Sequence, residues 1–198
     1  MKSKLLVLFI LLSVQQAYSQ IGTGSTLIGG SLQFQSLERF NTQELRLLPN
    51  VQYFISDNIS IGGNLGFVTE RNNLGQDTYT RTNTFVFGPE ARYYIDLGEN
   101  VHFYGAASLG FGFGGSTFID GNDRTDTEDT STLNFGVNPG ILFTPGSKVG
   151  FNFELNLISF GRNSSTPAGA NTSTVFNGFT FGTNTFTPTF GLYYIIGN

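Results

Sequence analysis

His102 is the only histidine in the chain, and a general base is the first chemistry its side chain suggests. In that role it needs a nucleophile within reach and a carboxylate to orient the ring. Glu99 is close in sequence, but no serine flanks the pair in a useful pattern. Cysteine is absent, which removes thiolate nucleophiles, disulfides and zinc–thiolate sites. A second group, Asp120, Asp123, Asp126, Glu128 and Asp129, lies in one short acidic stretch. Clustered carboxylates bind hard cations, but this spacing lacks the ligand order and glycine of an EF-hand. A solvated loop is the expectation, with cation contacts as the sharper alternative. A third group is Arg46, Glu90, Arg92 and Glu154, two charges of each sign. Glu90 and Arg92 lie two apart, on one face of an extended strand and about 7 Å apart at the Cα atoms. Buried charges persist when paired, so these four are read as a structural network. No catalytic, cofactor or metal constellation emerges: the chain reads as a non-enzyme needing no cofactor.

Strands must position these residues. Between Ile59 and Thr69, one set holds Ile59, Ile61, Gly63, Leu65 and Phe67, and the other Ser60, Gly62, Asn64 and Gly66. Successive strand side chains point to opposite faces, so the segment has one apolar and one small, polar face. The same alternation predicts eight strands, at about 25–35, 44–55, 59–69, 84–95, 101–113, 132–143, 149–160 and 185–196. Each is about 10 to 13 residues. A strand crossing a bilayer needs about 9–11, whereas soluble strands centre on about 5–6. Short turns at 56–58, 96–100 and 144–148 alternate with long polar stretches near 36–43, 70–83, 114–131 and 161–184, which read as loops. The glycines within Gly112 to Gly115 follow strand alternation rather than a phosphate-binding loop. Pro49, Pro89, Pro139 and Pro188 recur in the second strand of each hairpin. A proline cannot donate to a ladder, so bulges are expected there.

The polar set carries Arg46, Asn50 and Gln52 on the second strand, Glu90 and Arg92 on the fourth, and Asn152, Glu154 and Asn156 on the seventh. The apolar set carries no charge. A soluble barrel would need many charges on its outward polar face. The chain has only 12% charged residues, against about 25% in ordinary soluble domains. The apolar face therefore turns outward to lipid, and the small and ionic side chains fill the lumen of an all-β, eight-stranded, antiparallel up-and-down transmembrane barrel. Aromatic residues gather at both strand ends: Tyr53, Tyr93, Phe103, Phe143, Phe151 and Tyr194 by the short turns, and Phe34, Phe67, Phe85, Phe111, Phe135 and Phe186 at the other end.

The first 19 residues differ from the rest. Met1-Lys2-Ser3-Lys4 is basic, Leu5 to Leu12 is an apolar run too short to span a bilayer, and Ala17-Tyr18-Ser19 fits a cleavage site. A signal peptide of residues 1–19 and a barrel domain of residues 20–198 follow. The net charge of -4 argues against nucleic acid as a partner, since phosphate contacts need a basic face.

With Pro89-Glu90-Ala91-Arg92-Tyr93-Tyr94, these hairpin lengths and a last strand carrying Gly191, Tyr194 and Ile196, the chain resembles the small eight-stranded outer-membrane β-barrels. These are the OmpX-like and OmpA-like transmembrane domains, and the likeness is greatest to the Bacteroidetes type. The resemblance implies an integral protein of a Gram-negative outer membrane with both mature termini in the periplasm. It implies a structural or surface-interaction role through long extracellular loops, with a narrow porin-like channel for ions or small solutes as the alternative. It further implies contact with outer-membrane lipid and lipopolysaccharide, whose phosphates the acidic loop would reach through divalent ions. Recognition of the last strand by the barrel-assembly machinery and a monomeric state complete the expectation.

Overall fold

The structure is a computed structural model that describes residues 21–37, 41–73, 77–146, 148–181 and 189–197. The expected signal peptide, Phe186 and Pro188 lie outside the described residues. The strands are β1 (Thr26–Leu37), β2 (Thr42–Ser56), β3 (Ile59–Asn73), β4 (Thr78–Gly98) and β5 (Val101–Asp120). They continue as β6 (Asp123–Phe143), β7 (Val149–Glu154), β8 (Ile158–Pro167), β9 (Thr174–Phe181) and β10 (Thr189–Ile196). All pairings are antiparallel. β1 to β7 pair in succession, β7 pairs with β10, and β10 returns to β1, so eight strands close a ring. A closed ring leaves no edge along this part of the wall, the condition for crossing a membrane with strands.

Side-chain parity follows the sequence alternation. On β3, Ile59, Ile61, Leu65 and Phe67 face outward and are 38–60% exposed, while Ser60 is buried inside. The outward apolar belt runs from Leu45 to Ile55 on β2, Phe85 to Ile95 on β4, Phe103 to Phe113 on β5 and Leu133 to Phe143 on β6. Each stretch is about 11 residues, the length of a tilted membrane-crossing strand. On β8, Arg162 stands beside Leu133 and marks the belt's outer limit. Aromatic rings pack across neighbouring strands at that limit: Phe67 on Phe85 at 5.3 Å between centroids, and Phe87 on Phe111 at 5.5 Å. Such pairs add about 0.5–1.5 kcal/mol each beyond their burial.

Three expectations need correcting. The polar stretches read as loops are largely strand. β3 runs on to Asn73 and β4 begins at Thr78; β5 and β6 meet at a two-residue turn, Gly121-Asn122, where Gly121 has φ 58. β8 and β9 occupy most of 161–184, β8 extending the wall along β6 and β9 pairing with β8. In these extensions polar cross-strand pairs replace apolar burial: Thr69 donates to Asn83 at 3.1 Å, Thr78 to Asp120 at 3.0 Å and Thr117 to Asp126 at 3.0 Å. Threonine suits the pleat because it is β-branched.

The prolines are not generally bulges. Pro49 pairs with Gly30, Pro89 with Gly63 and Pro139 with Gly105, without a shift of register. Opposite Pro49, glycine lets the strands close up: a Cβ on Gly30 would lie 2.5 Å from the Leu48 carbonyl oxygen and 2.8 Å from Pro49 Cα, whereas Gly105 opposite Pro139 has open space at that position. Among the described prolines of the repeat an irregularity appears only beside Pro139, and on the neighbouring strand. There the expected seventh strand, 149–160, breaks into β7 and β8, and residues 155–157 oppose only Asn138 and Pro139. Pro139 has no N–H for that side; its carbonyl accepts from the Leu155 N–H at 2.9 Å. Asn156 falls in this break, outside both strands, and is exposed.

The third correction concerns the filling of the lumen. At the short-turn end large apolar and aromatic side chains predominate, with the small or polar Ser25, Ser60, His102 and Thr144 buried beside them. Leu27, Phe54, Tyr94, Tyr104, Leu142, Tyr193 and Ile195 point inward, each no more than 3% exposed. The Tyr94 ring packs 5.0 Å from Phe54 and 5.3 Å from Tyr104.

Candidate functional site: the lumen

Immediately above this apolar layer the inward positions become polar and charged. Arg92 and Glu90, two apart on β4, form a buried ion pair at 2.7 Å, with the two side chains 2% and 6% exposed. Glu154, on β7 across the lumen, stands 3.8 Å from Nη2 of the same guanidinium. Glu90 also accepts from Gln52 at 2.8 Å, and Gln52 in turn accepts from the Ser60 hydroxyl at 3.0 Å. Glu154 accepts from the Asn138 amide at 2.9 Å. The Tyr104 hydroxyl lies 2.6 Å from Asn152 Oδ1 and 2.8 Å from Glu154 Oε2, and its one proton serves one of them at a time. Arg92 donates to the Tyr193 hydroxyl at 3.1 Å, and its guanidinium lies 4.7 Å from the Tyr104 ring centroid. Buried charges are tolerable when hydrogen bonds and countercharges surround them, and this network supplies both.

Three of the four charges read from the sequence therefore meet: Glu90, Arg92 and Glu154. Arg46 does not join them. It pairs with Glu44, two residues away on its own strand, through Nε and through Nη2 at 3.1 Å. Glu44 is in reach because residues i and i+2 share a face, whereas the Glu90–Arg92–Glu154 group lies nearer the apolar layer. The network's uncharged members, Gln52, Tyr104, Asn138, Asn152 and Tyr193, come from five strands. Their inward parity was available in the sequence, but not their mutual contact.

Above the network is a cavity of about 250 Å³, bordered by Arg46, Asn50, Asn64, Arg92, Asn134, Asn138, Asn152 and Glu154 among others. The lumen is thus not filled throughout. A larger recess, about 730 Å³, lies on the outward face between Val51, Ile61, Pro89 and Leu109 and forms part of the apolar belt.

The acidic residues Asp120, Asp123, Asp126, Glu128 and Asp129 occupy the β5–β6 hairpin rather than a loop. Asp120 accepts from Thr78, Asp126 from Thr117, and Glu128 from Ser116 at 3.2 Å and from Ser165. Strand geometry spreads them along the hairpin, and among the described residues no three metal-ligating side chains converge. His102 is buried at the short-turn end. Its partner is Asp96 rather than Glu99, with Nδ1 2.5 Å from Asp96 Oδ1. Its Nε2 lies 3.2 Å from the Thr144 hydroxyl. Thr144 is 1% exposed, and the row of three ties together the ends of β4, β5 and β6.

Residues 5–191 match the family described as "Outer membrane protein beta-barrel domain". Among solved structures, the chain is similar to the N-terminal β-barrel domain of Pseudomonas aeruginosa OprF. The identity is 12% and the TM-score 0.44, over 88% of this chain and 99% of that one. It is also similar to Ail, the attachment invasion locus protein of Yersinia pestis, at 14% identity and TM-score 0.42, with the same coverage of each. No curated protein sequence matches. A closed ring of antiparallel strands, an outward apolar belt and this family match make the chain a member of the outer-membrane β-barrel domain family, integral to the outer membrane.

Proposed function

We propose that the protein is a non-conducting barrel whose duty lies on its surface, presented by the β-hairpins that rise beyond the apolar belt. The observation that carries this reading is the apolar layer. Seven inward side chains from six strands pack across the lumen, with exposures of 0–3%. An ion crossing so tightly packed a layer would be stripped of most of its hydration, which costs several kcal/mol or more. This disfavours the narrow-channel alternative.

The outward-projecting wall formed by β3–β6 and β8 is rich in threonine, asparagine, serine and acidic residues, whereas β9 beside it exposes Val175, Phe176, Phe179 and Phe181. Arg71 stacks 3.8 Å from the Tyr79 ring centroid within the wall. Such a wall is suited to contacts with lipopolysaccharide headgroups or external molecules, while the belt meets outer-membrane lipid. The short turns and the ends of the ring would face the periplasm. One chain closes the ring, so a monomer suffices, and β10 would carry the assembly signal. No catalytic role is assigned, because the one histidine faces a buried threonine.

Planar-bilayer recording of the refolded protein tests the central claim. No steady unitary conductance is expected. Reproducible conductance steps that scale with salt concentration would overturn it.

A further inference from the structure

Arg71 on β3 and Arg81 on β4 are register partners, so two cations stand directly opposite each other across the ladder. Like charges in that position destabilise a sheet. Among the described residues neither arginine forms an ion pair. One ring holds both of them. Arg71 stacks 3.8 Å from the Tyr79 ring centroid; Arg81 lies 5.5 Å from the same centroid and donates to the Tyr79 hydroxyl at 3.3 Å. Arg71 Nε donates to Asn73 at 2.8 Å. A guanidinium carries five N–H donors, so each arginine keeps donors to spare. The pair shares the outward parity of Phe67 and Phe85 and stands four residues beyond them on each strand, just outside the apolar belt.

Beside the pair is an outward-facing recess of about 320 Å³, bordered by both arginines, Thr69, Asn83, Leu45 and Phe34 among others. Leu45 and Phe34 are exposed apolar residues. We propose that this recess seats the phosphate of an outer-leaflet lipid headgroup. Its cationic side lies at headgroup depth and its apolar side toward the acyl chains, which matches the polarity of such a lipid along the membrane normal. A phosphomonoester brings about −1.5 to −2 charges and three acceptor oxygens. That is enough to offset two guanidinium groups and to accept from both. One carboxylate would leave a positive charge uncompensated. Neighbouring acids do not take the place. Glu44 also borders the recess, but its carboxylate is held by Arg46. Glu70 has the opposite parity to Arg71 and accepts from Asn72 at 2.9 Å. Asp126 and Asp129 stand on β6, two strands from Arg81, and Asp126 accepts from Thr117. At about 4.8 Å between strands that is ~10 Å, more than a Debye length at physiological salt. The proposal deepens the surface role given above and rests on it.

The full chain is refolded in detergent micelles and titrated calorimetrically with bis-phosphorylated lipid A carried in mixed micelles. Phosphate-free lipid A and inorganic phosphate are titrated in parallel. Saturable binding of the phosphorylated lipid is expected, weakened about 10-fold by Arg71→Gln and likewise by Arg81→Gln, the effect of losing one charge-assisted contact. Arg162→Gln, which removes an outward cation on β8, should change the affinity by less than about 2-fold, because an isolated exposed charge contributes little. Heat-modifiable gel migration checks that each variant is folded. In the unsubstituted protein labelled with nitrogen-15, the Arg71 and Arg81 Nε–H resonances should shift with the phosphorylated lipid and stay in place with the phosphate-free one. Inorganic phosphate should not compete at equal concentration; if it binds as tightly, the site takes the free anion and the lipid assignment falls. Equal binding of phosphate-free lipid A, unmoved arginine resonances, or a loss from Arg162→Gln as large as that from Arg71→Gln would each overturn the proposal. Bilayer conductance tests the surface role separately, so the two readings fail independently.

Discussion

Replacing Arg92 by methionine removes the one positive charge of the buried network and keeps most of its volume. Its guanidinium lies 2.7 Å from Glu90 and 3.8 Å from Glu154. At an effective dielectric of about 20, those separations correspond to gross attractions of about 6 and about 4 kcal/mol. Desolvation of three ions offsets most of that, since each buried ion costs several kcal/mol. The substitution does not return the two carboxylates to water. It leaves them facing each other across a lumen that Gln52, Tyr104 and Asn138 only partly compensate, and breaking a buried pair in this way costs about 3–5 kcal/mol. The triple variant Arg92→Met, Glu90→Gln and Glu154→Gln removes the repulsion as well. It should regain most of the loss, because neutral amides can still accept hydrogen bonds from Gln52, Asn138 and Tyr104. Urea unfolding in detergent micelles, followed by strand circular dichroism and by heat-modifiable gel migration, reads both quantities from midpoint and slope. An unchanged midpoint for Arg92→Met would refute the stabilising role of the network. A triple variant as unstable as the single one would show that packing, and not charge, sets the cost.

Leu65, 55% exposed near the middle of the belt, should tolerate arginine poorly, at about 2–4 kcal/mol in lipid bilayers; Asp123→Arg at the hairpin tip should change stability by less than about 0.5 kcal/mol in the same unfolding assay. Gly30→Ala forces a Cβ to 2.8 Å from Pro49 Cα and should cost about 1–3 kcal/mol. Gly105→Ala, opposite Pro139 with nothing within 4 Å of the new Cβ, should cost well under half of that, and equal losses would refute the account of the proline–glycine pairs. In the turn after β2, the backbone N–H and hydroxyl of Thr23 both donate to Asp57, at 3.0 and 2.8 Å, and hold its carboxyl below the ordinary aspartate value. A depressed folded pKa stabilises above the unfolded value of about 3.9 and is lost as pH falls through the folded one. Asp57→Asn should therefore flatten the acid limb of the stability profile below about pH 4, and an unchanged acid limb would refute it.

The short-turn ends of the strands were readable from sequence to within three residues, with Ile59, Val101, Phe143 and Val149 matched and the end of β4 (95 against Gly98) the widest miss. The opposite ends were read too short, by seven residues at the end of β5 (113 against Asp120) and nine at the start of β6 (132 against Asp123). Hydrophobic alternation reports only strand that meets lipid on one side. Beyond the belt both faces are polar, so the period of two persists in the backbone without a mark in hydropathy. Gly121-Asn122 was the one local sign that the acidic stretch turns tightly rather than looping, since glycine followed by asparagine suits a two-residue hairpin. The break between β7 and β8 left no such sign, because it arises from Pro139 on the neighbouring strand.

Along one strand, every second residue shares a face, so the sequence by itself determined which side chains turn to lipid and which turn inward. It also determined that Glu90 and Arg92 stand together, because they are two apart. Only the closed ring decided that Glu154 and Tyr193 reach the same guanidinium, that Arg46 does not join them, and that tyrosines and leucines pack across the short-turn end. Those encounters depend on the register and tilt of strands up to 101 residues apart in the chain. No local periodicity encodes that stagger, and it alone decides which inward side chains come level.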